Sequence, residues 1–187
     1  MTMSDLKLVS SKDPILGEEM PRYEWNDVSD VKYAWDLAES MINIMKRENG
    51  LGLSANQVGV KARMFVMTGE QNFAVFNPRI VDQSNETIIS LEEGCLSFPN
   101  LWVKIKRPRM IKVRFQDPNS DTHTMTFDGM TARVFQHEMD HLNGIDFTKR
   151  ANKYHLEKAY KRKKKLDTGK VQLVSKPRFE YEWTGTN

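Results

Sequence analysis

The sequence predicts a single α+β domain, in which a group of strands follows one helix and precedes another. Residues 29–49 have apolar residues at helical spacing, residues 63–127 contain short runs of β-branched and aromatic residues, and residues 129–142 are again helical in pattern. A chain of 187 residues is long enough for one hydrophobic core, whereas two domains would each be small. We therefore expect one core, with no linker that divides the chain.

The first helix is predicted from about Ser29 to Asn49. Apolar residues recur there at spacings of three and four, which places them in one stripe on the helix surface. Ser29 with Asp30 is expected to cap the start, and Gly50 is expected to close the end in the left-handed conformation. The stripe consists of Val31, Ala34, Trp35, Ala38, Met41, Ile42 and Met45.

The middle of the chain is predicted to form strands. Ile111, Val113 and Phe115 alternate with polar residues, as in a strand with one solvated face, and residues 117–121 are dense in turn formers. Residues 122–127 are therefore expected to return as the second strand of a hairpin. Three further strand-like runs lie upstream, at residues 64–67, 73–76 and 87–89.

Charge is distributed unevenly along the chain. The net charge is +3, and residues 151–187 alone carry ten Lys or Arg against four Asp or Glu. A third helix is predicted at residues 151–165, and it ends with five consecutive cations, residues 161–165. We interpret this run as a solvated helix end. Contact with ribosomal RNA is the alternative, and such binding should weaken steeply with salt.

The composition is ordinary for a soluble globular protein, with 39% hydrophobic and 28% charged residues. No segment approaches the ~20 apolar residues that cross a bilayer. Residues 1–5 lack the charged and apolar regions of a signal peptide. We therefore expect a cytoplasmic protein without membrane contact, and nothing in the sequence requires more than a monomer.

The strongest chemical signal is the sequence His137-Glu138-Met139-Asp140-His141, in a region predicted to be helical. Four residues advance a helix by about 400°, so both imidazoles leave one face, about 6 Å apart along the axis, and can reach one cation. Glu138 lies about 100° around the helix, where a carboxylate flanks the metal and can accept a proton from water. A polar helix face is the alternative, but the chain has only four histidines.

A third metal ligand is expected upstream, because no Gly-x-x-His arrangement follows this motif. Cys95 is the candidate, since Gly94 before it permits close approach of the backbone. A thiolate with two imidazoles leaves a fourth position open for water, as catalytic sites require. A lone cysteine is otherwise a small buried hydrophobe.

Three segments, in this order, resemble the signature of the peptide deformylases. They are Gly-Leu-Gly-Leu-Ser-Ala-Asn-Gln at 50–57, Glu-Gly-Cys-Leu-Ser at 93–97 and Gln-His-Glu-Met-Asp-His at 136–141. The resemblance extends over roughly residues 6–150. It implies an α+β fold in which antiparallel sheets pack around a central helix that carries the H-E-x-x-H motif. It also implies removal of the formyl group from the initiator methionine of new polypeptides, with release of formate.

The resemblance implies a role for each residue of the site. Cys95, His137 and His141 would bind one divalent metal ion. Ferrous iron is the expected native metal, and Zn²⁺, Ni²⁺ or Co²⁺ could take its place. The general base and then acid would be Glu138, with the oxyanion stabilised by the side-chain amide of Gln57 and the backbone N–H of Leu96.

Binding of formyl-methionine requires an apolar pocket beside the metal. Met130 and Val134 precede His137 by seven and three residues on the same helical face, so both are candidates together with Leu51. Ordinary core packing is the alternative for these side chains. In the family, the backbone at Leu51 and Gly52 pairs with the substrate as an added strand. The expected substrate-binding residues are Leu51, Gly52, Gly94, Met130 and Val134.

The implied partner is a formyl-methionyl nascent peptide, with the ribosome as a second partner if the tail contacts RNA. Residues 1–150 would form the catalytic domain, and residues 151–187 a basic C-terminal helix and tail that is not an independent domain. Two other functions stay open. A metallopeptidase would share the helix motif but gives no reason for Gln57. A non-enzymatic, metal-stabilised RNA-binding module would need a fourth protein ligand.

Several positions depart from the commoner family pattern, among them Gly17, where arginine is frequent. Ser54 stands where alanine is usual, and we expect packing there to be preserved. Trp102 replaces a frequent arginine, and Arg133 replaces a frequent apolar residue. These two departures are expected to change outer contacts with the substrate and to leave the metal chemistry intact.

Overall fold

Three α-helices and nine strands are present in the computed structural model, which describes residues 3–88 and 91–170. The helices are α1 (Val28–Arg47), α2 (Gly129–Leu142) and α3 (Lys153–Asp167). The strands are β1 (Gly52–Ser54), β2 (Met64–Met67), β3 (Phe73–Gln83), β4 (Thr87–Ile88), β5 (Glu92–Cys95), β6 (Phe98–Lys104), β7 (Arg107–Pro108), β8 (Met110–Gln116) and β9 (Thr122–Asp128).

Five strands form one antiparallel sheet in the order β1-β2-β3-β8-β9, so β1 and β9 are its edges. Two small antiparallel sheets flank it, one made by β4 and β7 and the other by β5 and β6. Helix α2 contacts β1, β2, β7, β8 and β9. The predicted α+β class is therefore confirmed, with antiparallel strands around the helix that carries the histidine motif.

The large sheet is covered on both faces. Along β2, Met64 and Val66 pack in the cluster that includes α1, whereas Phe65 and Met67 pack in the cluster that includes α2. This alternation follows from the two-residue period of a strand. All four side chains are buried, because helices lie on both sides of β2.

Both ends of α1 differ from the prediction. Its N-cap is Asp27, since the carboxylate of that residue accepts hydrogen bonds from the backbone N–H groups of Ser29 and Asp30. The left-handed residue after the helix is Asn49, with φ of 55°, and not Gly50. Asparagine tolerates this conformation because its short polar side chain can form local hydrogen bonds.

The buried stripe of α1 also differs in part from the predicted one. Leu37 and Ile44 are buried although they were not expected in the stripe, whereas Trp35 is 50% exposed. The indole of Trp35 instead donates a hydrogen bond to Asn119 Oδ1 at 2.9 Å, in the turn between β8 and β9. The helix is thus rotated so that Trp35 lies at the edge of the interface.

The other helices and the hairpin follow the prediction closely. Helix α2 has the predicted bounds, β8 and β9 form the predicted hairpin, and α3 is displaced by two residues from residues 151–165. The predicted strand at 87–89 is present as β4, although its last residue lies outside the described part of the chain, as do residues 171–187. None of the described helices combines the length and apolar character needed to span a bilayer.

A third hydrophobic cluster joins β6 to α3. It contains Leu101, Val103 and Ile105, which pack with Phe147 and with Ala159 of α3. Cys95 is partly buried against the same cluster. The hairpin that carries Cys95 therefore rests on the C-terminal helix.

Candidate active site

Three side chains converge between β5 and α2. The sulfur of Cys95 and a ring nitrogen of each of His137 and His141 all lie within 4.8 Å of one another. Cys95 Sγ is 3.2 Å from His141 Nε2, and the ring centroids of the two histidines are 5.0 Å apart. The structure thus brings together the three residues that were predicted from the sequence to be metal ligands.

Local structure explains how these side chains meet. The two histidines are one turn apart on α2, so they leave the same face of that helix. The register of the β5–β6 pair shifts between Gly94 and Cys95, and a bulge of this kind reorients the side chain that follows it. Asn56 Nδ2 donates to the His141 carbonyl at 2.7 Å, which ties the helix to the segment after β1.

A buried glutamate, Glu93, orients one of the ligands. Its Oε2 is 3.1 Å from His137 Nδ1, which leaves Nε2 of that ring for a cation. The same carboxylate accepts hydrogen bonds from Arg107 Nε at 2.7 Å, Arg107 Nη2 at 2.8 Å and Arg133 Nη1 at 2.6 Å. Burial alone would raise the pKa of Glu93, but hydrogen bonds from Arg107 and His137 hold that pKa well below its usual range. Glu93 is therefore an anion next to the ligands.

The network around Glu93 extends away from the site. Arg107 Nη1 donates to Asp140 Oδ2 at 2.8 Å, and Asp140 Oδ1 accepts from Arg150 Nη2 at 2.7 Å. Arg133 also donates to the carbonyl groups of Ile105 at 2.8 Å and Ile88 at 2.6 Å. The expectation that Arg133 affects only outer substrate contacts is therefore wrong, because its guanidinium contacts the carboxylate that orients His137.

Glu138 lies beside the ligands and is buried. Its Oε2 accepts a hydrogen bond from the Ser54 hydroxyl at 2.6 Å, so Ser54 does more than preserve packing. A Cβ atom at Gly52 would overlap this carboxylate, which explains the glycine at that position. Burial raises the pKa of Glu138, and His137 and Ser54 oppose that increase. A carboxyl with a raised pKa is suited to both accept and return a proton.

The Gln57 side chain points at the same site. Its Nε2 lies 3.4 Å from Cys95 Sγ and 3.0 Å from Ser97 Oγ. Leu96 and Ser97 form the turn between β5 and β6, so the Leu96 backbone N–H lies outside the strand ladder. The two groups that the resemblance assigns to oxyanion stabilisation thus flank Cys95, while their role stays a prediction.

The expected substrate-binding residues fall into two groups. Leu51, Met130 and Val134 belong to one hydrophobic cluster, in which Leu51 and Met130 are only partly buried. Gly52 is the first residue of β1, an edge strand of the large sheet, and it is half-buried. Gly94 has a packing reason of its own, since a Cβ atom there would lie 2.8 Å from the Trp102 ring. Contact of these residues with a substrate stays a prediction.

The pKa values of the two histidines at the candidate metal site shift in opposite directions. Burial, with the nearby His137 and Arg107, lowers the pKa of His141 well below its ordinary value and favours the neutral ring that binds metals. Burial also lowers the pKa of His137, but Cys95 and Glu93 reverse this effect and raise the pKa well above its ordinary value. In the metal-free protein a proton on His137, next to Cys95 and Glu93, is therefore favoured.

The donor set of this site fits a divalent cation. One sulfur and two imidazole nitrogens are suited to divalent zinc, iron, nickel and cobalt. Among the residues that the structure describes, no fourth His, Cys, Asp or Glu joins this group. A site with three protein ligands retains an open position, as catalytic metal sites do.

The sequence did not reveal the residues that support this site. Glu93 was part of a recognised segment, but its partners Arg107 and Arg133 are 14 and 40 residues away along the chain. Spacing patterns within one helix or strand do not predict contacts between residues so far apart in the sequence. One signal of these supporting residues was present in the sequence. Arg133 and Asp140 are charged residues in a helix that was predicted to lie at the centre of the fold.

Comparisons with known proteins agree with this geometry. The family model described as polypeptide deformylase matches residues 6–157. The peptide deformylase of Thermotoga neapolitana is 49% identical over 108 residues, which cover 57% of this chain and 65% of that protein. The match to this relative and to similar Thermotoga proteins thus spans a little less than two thirds of their length.

Solved structures are similar over more of the chain. The crystal structure of peptide deformylase from Thermotoga maritima has a TM-score of 0.74 and 38% identity, and the match covers 79% of this chain and 97% of that one. A peptide deformylase from Synechococcus elongatus, solved in complex with actinonin, has a TM-score of 0.75 and 30% identity, with 90% and 88% covered.

Proposed function

Because the chain belongs to the polypeptide deformylase family, we propose that it removes the formyl group from the initiator methionine of new polypeptides and releases formate. The observation that carries this proposal is the convergence of Cys95, His137 and His141 beside the buried carboxylate of Glu138. A metal-dependent amide hydrolase needs this combination of an open metal site and a base.

The chain's own residues account for the proton transfers. A divalent cation held by Cys95, His137 and His141 would polarise the formyl oxygen and lower the pKa of water toward ~7. Glu138 accepts the proton of the attacking water and returns it to the amine nitrogen as the C–N bond breaks. The products are formate and a free amino terminus.

The substrate is held by the edge of the sheet and by the apolar cluster. Its backbone pairs with Leu51 and with Gly52 at the start of β1. Its methionine side chain packs against Leu51, Met130 and Val134. Gln57 Nε2 and the Leu96 N–H donate to the formyl oxygen as negative charge develops on it, and one such donor is typically worth about 2.7–4 kcal/mol of barrier.

Formate release from formyl-Met-Ala-Ser by anaerobically prepared, iron-loaded protein tests the proposal. Glu138→Gln keeps the size of the side chain but removes its basicity, so kcat should fall by about 10²–10⁴-fold while the bound metal is retained. Glu157→Gln, on the exposed part of α3, is the matched control and should leave kcat unchanged. A folded, metal-loaded wild type that releases no formate would reject the proposal.

The same assay separates the two other functions considered from the sequence. A metallopeptidase would cleave unformylated peptides at internal bonds without releasing formate. A structural metal site would bind the metal but show no hydrolysis of either substrate. The three-ligand site favours hydrolysis, since structural sites usually have four protein ligands.

Ferrous iron is the metal that we propose for the protein in the cell. Thiolate and imidazole ligands also bind Zn²⁺, Ni²⁺ and Co²⁺, so the donor set does not select among them. An iron enzyme should lose activity in air through oxidation of the metal or of Cys95. Anaerobic purification followed by elemental analysis, with activity measured before and after air exposure, tests this proposal.

We also propose that the protein acts in the cytoplasm as a monomer, where nascent polypeptides are its substrate. Sedimentation analysis measures the oligomeric state directly. Cell fractionation with an antibody to the protein measures its location.

A ribosome contact through the basic segment of α3 is the last part of the proposal. Arg162 pairs with Glu92 at 2.8 Å and Lys163 with Asp167 at 2.6 Å, which leaves Lys161, Lys164 and Lys165 exposed to bind phosphates. Replacing these three lysines by glutamine should weaken ribosome binding and reduce its salt dependence. Glutamine at the exposed Lys7, Lys12 and Lys46 is the control, and an equal effect of both triple variants would contradict a specific contact.

A further inference from the structure

A basic recess lies on the large sheet, away from the proposed active site. Its volume is about 250 Å³. Among the described residues, no Asp or Glu lines it. The polar side chains that line it are those of Arg22, Arg79, Arg114, Asn77, Gln116 and Thr122.

Strand register shows which face of the sheet holds the recess. Gln116 is the cross-strand partner of Phe76, and Phe76 packs in the α1 cluster. Arg114 lies two residues from Gln116 and therefore shares its face, and Arg79 is the partner of Arg114. Val113 points the other way, into the α2 cluster. The recess and the histidines of α2 are consequently on opposite sides of the sheet.

The arginines in the recess have little electrostatic compensation. Arg79 and Arg114 are directly opposite each other on β3 and β8, an arrangement of like charges that destabilises a strand pair. Within residues 3–88 and 91–170, neither guanidinium has a hydrogen bond or an ion pair. Arg22 has a single carboxylate partner, Glu24 at 3.3 Å, and both of those side chains are more than half exposed.

The arginines in a second recess on the molecule, by contrast, have a carboxylate partner. This recess has a volume of about 280 Å³ and contains Arg107 and Arg150, but both arginines already donate to Asp140. These two arginines are thus neutralised by the protein itself. In the described part of the chain, Arg79 and Arg114 have no such internal partner.

We propose that the recess formed by Arg22, Arg79 and Arg114 binds a phosphate group, carried either by a small phosphorylated molecule or by the backbone of RNA. A guanidinium donates two parallel hydrogen bonds to phosphate oxygens, and a phosphate presents enough oxygens for more than one arginine. The Thr122 hydroxyl lines the same recess and supplies a further donor. This binding does not depend on the proposed hydrolytic activity.

Inorganic phosphate titrated against the metal-loaded protein, followed by NMR, tests the proposal. Arg79→Gln and Arg114→Gln change exposed side chains, so the fold should be retained and thermal melts can verify it. Lys112→Gln is the matched control, since it removes one positive charge from the same face of β8 outside the recess. We expect phosphate to bind the wild type saturably. Each arginine variant should have about 10-fold lower affinity for phosphate, and the affinity of the control should hardly change.

A second titration with a single-stranded RNA oligonucleotide identifies the source of the phosphate. RNA binding that is weakened by Arg79→Gln and displaced by phosphate supports an RNA ligand. Phosphate binding without such RNA binding supports a small phosphorylated ligand. NMR shifts that do not saturate with phosphate, or an equal loss of phosphate affinity in Lys112→Gln, would overturn the proposal. Either result would show that phosphate is attracted only by the general positive charge of this face.

Discussion

At the scale of single residues, the side-chain amide of Gln57 is fixed by its neighbours. The Ser54 backbone N–H can only donate, so Gln57 Oε1 accepts its hydrogen bond at 2.9 Å. The NH₂ group is then directed at Ser97 and Cys95. A donor held in advance requires no reorganisation when charge develops on a substrate.

Gln57→Ala should therefore lower kcat by about 10²–10³-fold, the loss typical of one oxyanion donor. KM and metal content should change little, because Gln57 is not a ligand. Steady-state kinetics on a formylated peptide, with metal analysis of the same sample, measures both. Ser97→Ala removes a neighbour of the amide but keeps the donor, and a fall of similar size in that variant would contradict the assignment.

The raised pKa of Tyr23 predicts how the free energy of unfolding changes at alkaline pH. Its hydroxyl donates to the Asp30 carbonyl at 2.7 Å, and burial with the charge of Asp30 raises the pKa of Tyr23 to about 12. The folded state thus binds this proton more tightly than the unfolded state, where the pKa is about 10. The contribution of the neutral phenol to the free energy of unfolding is complete below pH 10 and is lost as the pH rises toward about 12.

Tyr23→Phe isolates this contribution. Near neutral pH the variant should be less stable by about 0.5–1.5 kcal/mol, because it lacks the hydrogen bond. Above pH 10 the difference should narrow, since only the wild type then releases the phenolic proton on unfolding. Urea unfolding of both proteins at several pH values measures the difference, and a constant gap would contradict the assigned pKa.

Sequence patterns predict the reactive residues better than their supports. His137 and His141 follow from a four-residue spacing on one helix, and Cys95 from the absence of a downstream ligand. Glu93 and Arg133 could not be paired in this way, because their contact depends on how β5 packs on α2. Long-range contacts between buried charges leave no periodic signal.

At the scale of elements, α2 is buried along nearly its whole length, from Thr131 to Leu142. An arginine in such a helix must find acceptors, and Arg133 finds Glu93 together with two backbone carbonyls of the neighbouring strands and loops. The side chain therefore links α2 to β4 and β5. Removing it leaves several buried acceptors with one donor fewer.

Arg133→Leu should reduce the free energy of unfolding by about 3–5 kcal/mol, the range for breaking a buried ion pair. Arg162→Leu is the matched control, since it removes an exposed pair with Glu92 and should cost no more than about 1 kcal/mol. Urea denaturation of both variants measures the two effects. Equal losses would show that Arg133 contributes only as an ordinary surface charge does.

The elements themselves were largely predictable because their signals are local. Periodicity locates α1, α2 and the β8–β9 hairpin within a few residues. The cap of α1 was misplaced because Asp27, Ser29 and Asp30 are all good capping residues, and only geometry selects Asp27. The order of strands in the sheet was not predictable, since β3 pairs with β8 across the whole β4–β7 segment.

At the scale of the whole molecule, three hydrophobic clusters meet at the candidate site. Gln57 lies between Ala55 and Val58 of the α1 cluster, the histidines lie on α2, and Cys95 packs against the cluster of β6 and α3. A metal ion bound there would add a further link between α2 and the β5–β6 hairpin, besides the contacts of Arg133 with Glu93.

Removal of the metal should consequently destabilise the fold. A ligand present at about 1,000 times its Kd adds about 4.1 kcal/mol to the free energy of unfolding. Scanning calorimetry before and after chelation should show a lower Tm, and hydrogen exchange should increase most in the β5–β6 hairpin. The Tm of Cys95→Ser should fall less on chelation than that of the wild type. If chelation left the wild-type Tm unchanged, the expected link between metal binding and stability would be contradicted.

The packing of α3 against β6 has a consequence for the order in which the site is completed during synthesis. Both histidines and their helix precede residue 150, so a growing chain can form α2 and its cluster before α3 exists. The β5–β6 hairpin gains its contact with Ala159 only when α3 has been made. A chain interrupted after residue 150 would retain His137 and His141 on α2, while the hairpin that carries Cys95 would lack its contacts with α3. Completion of the candidate metal site is thus linked to the last helix of the described chain.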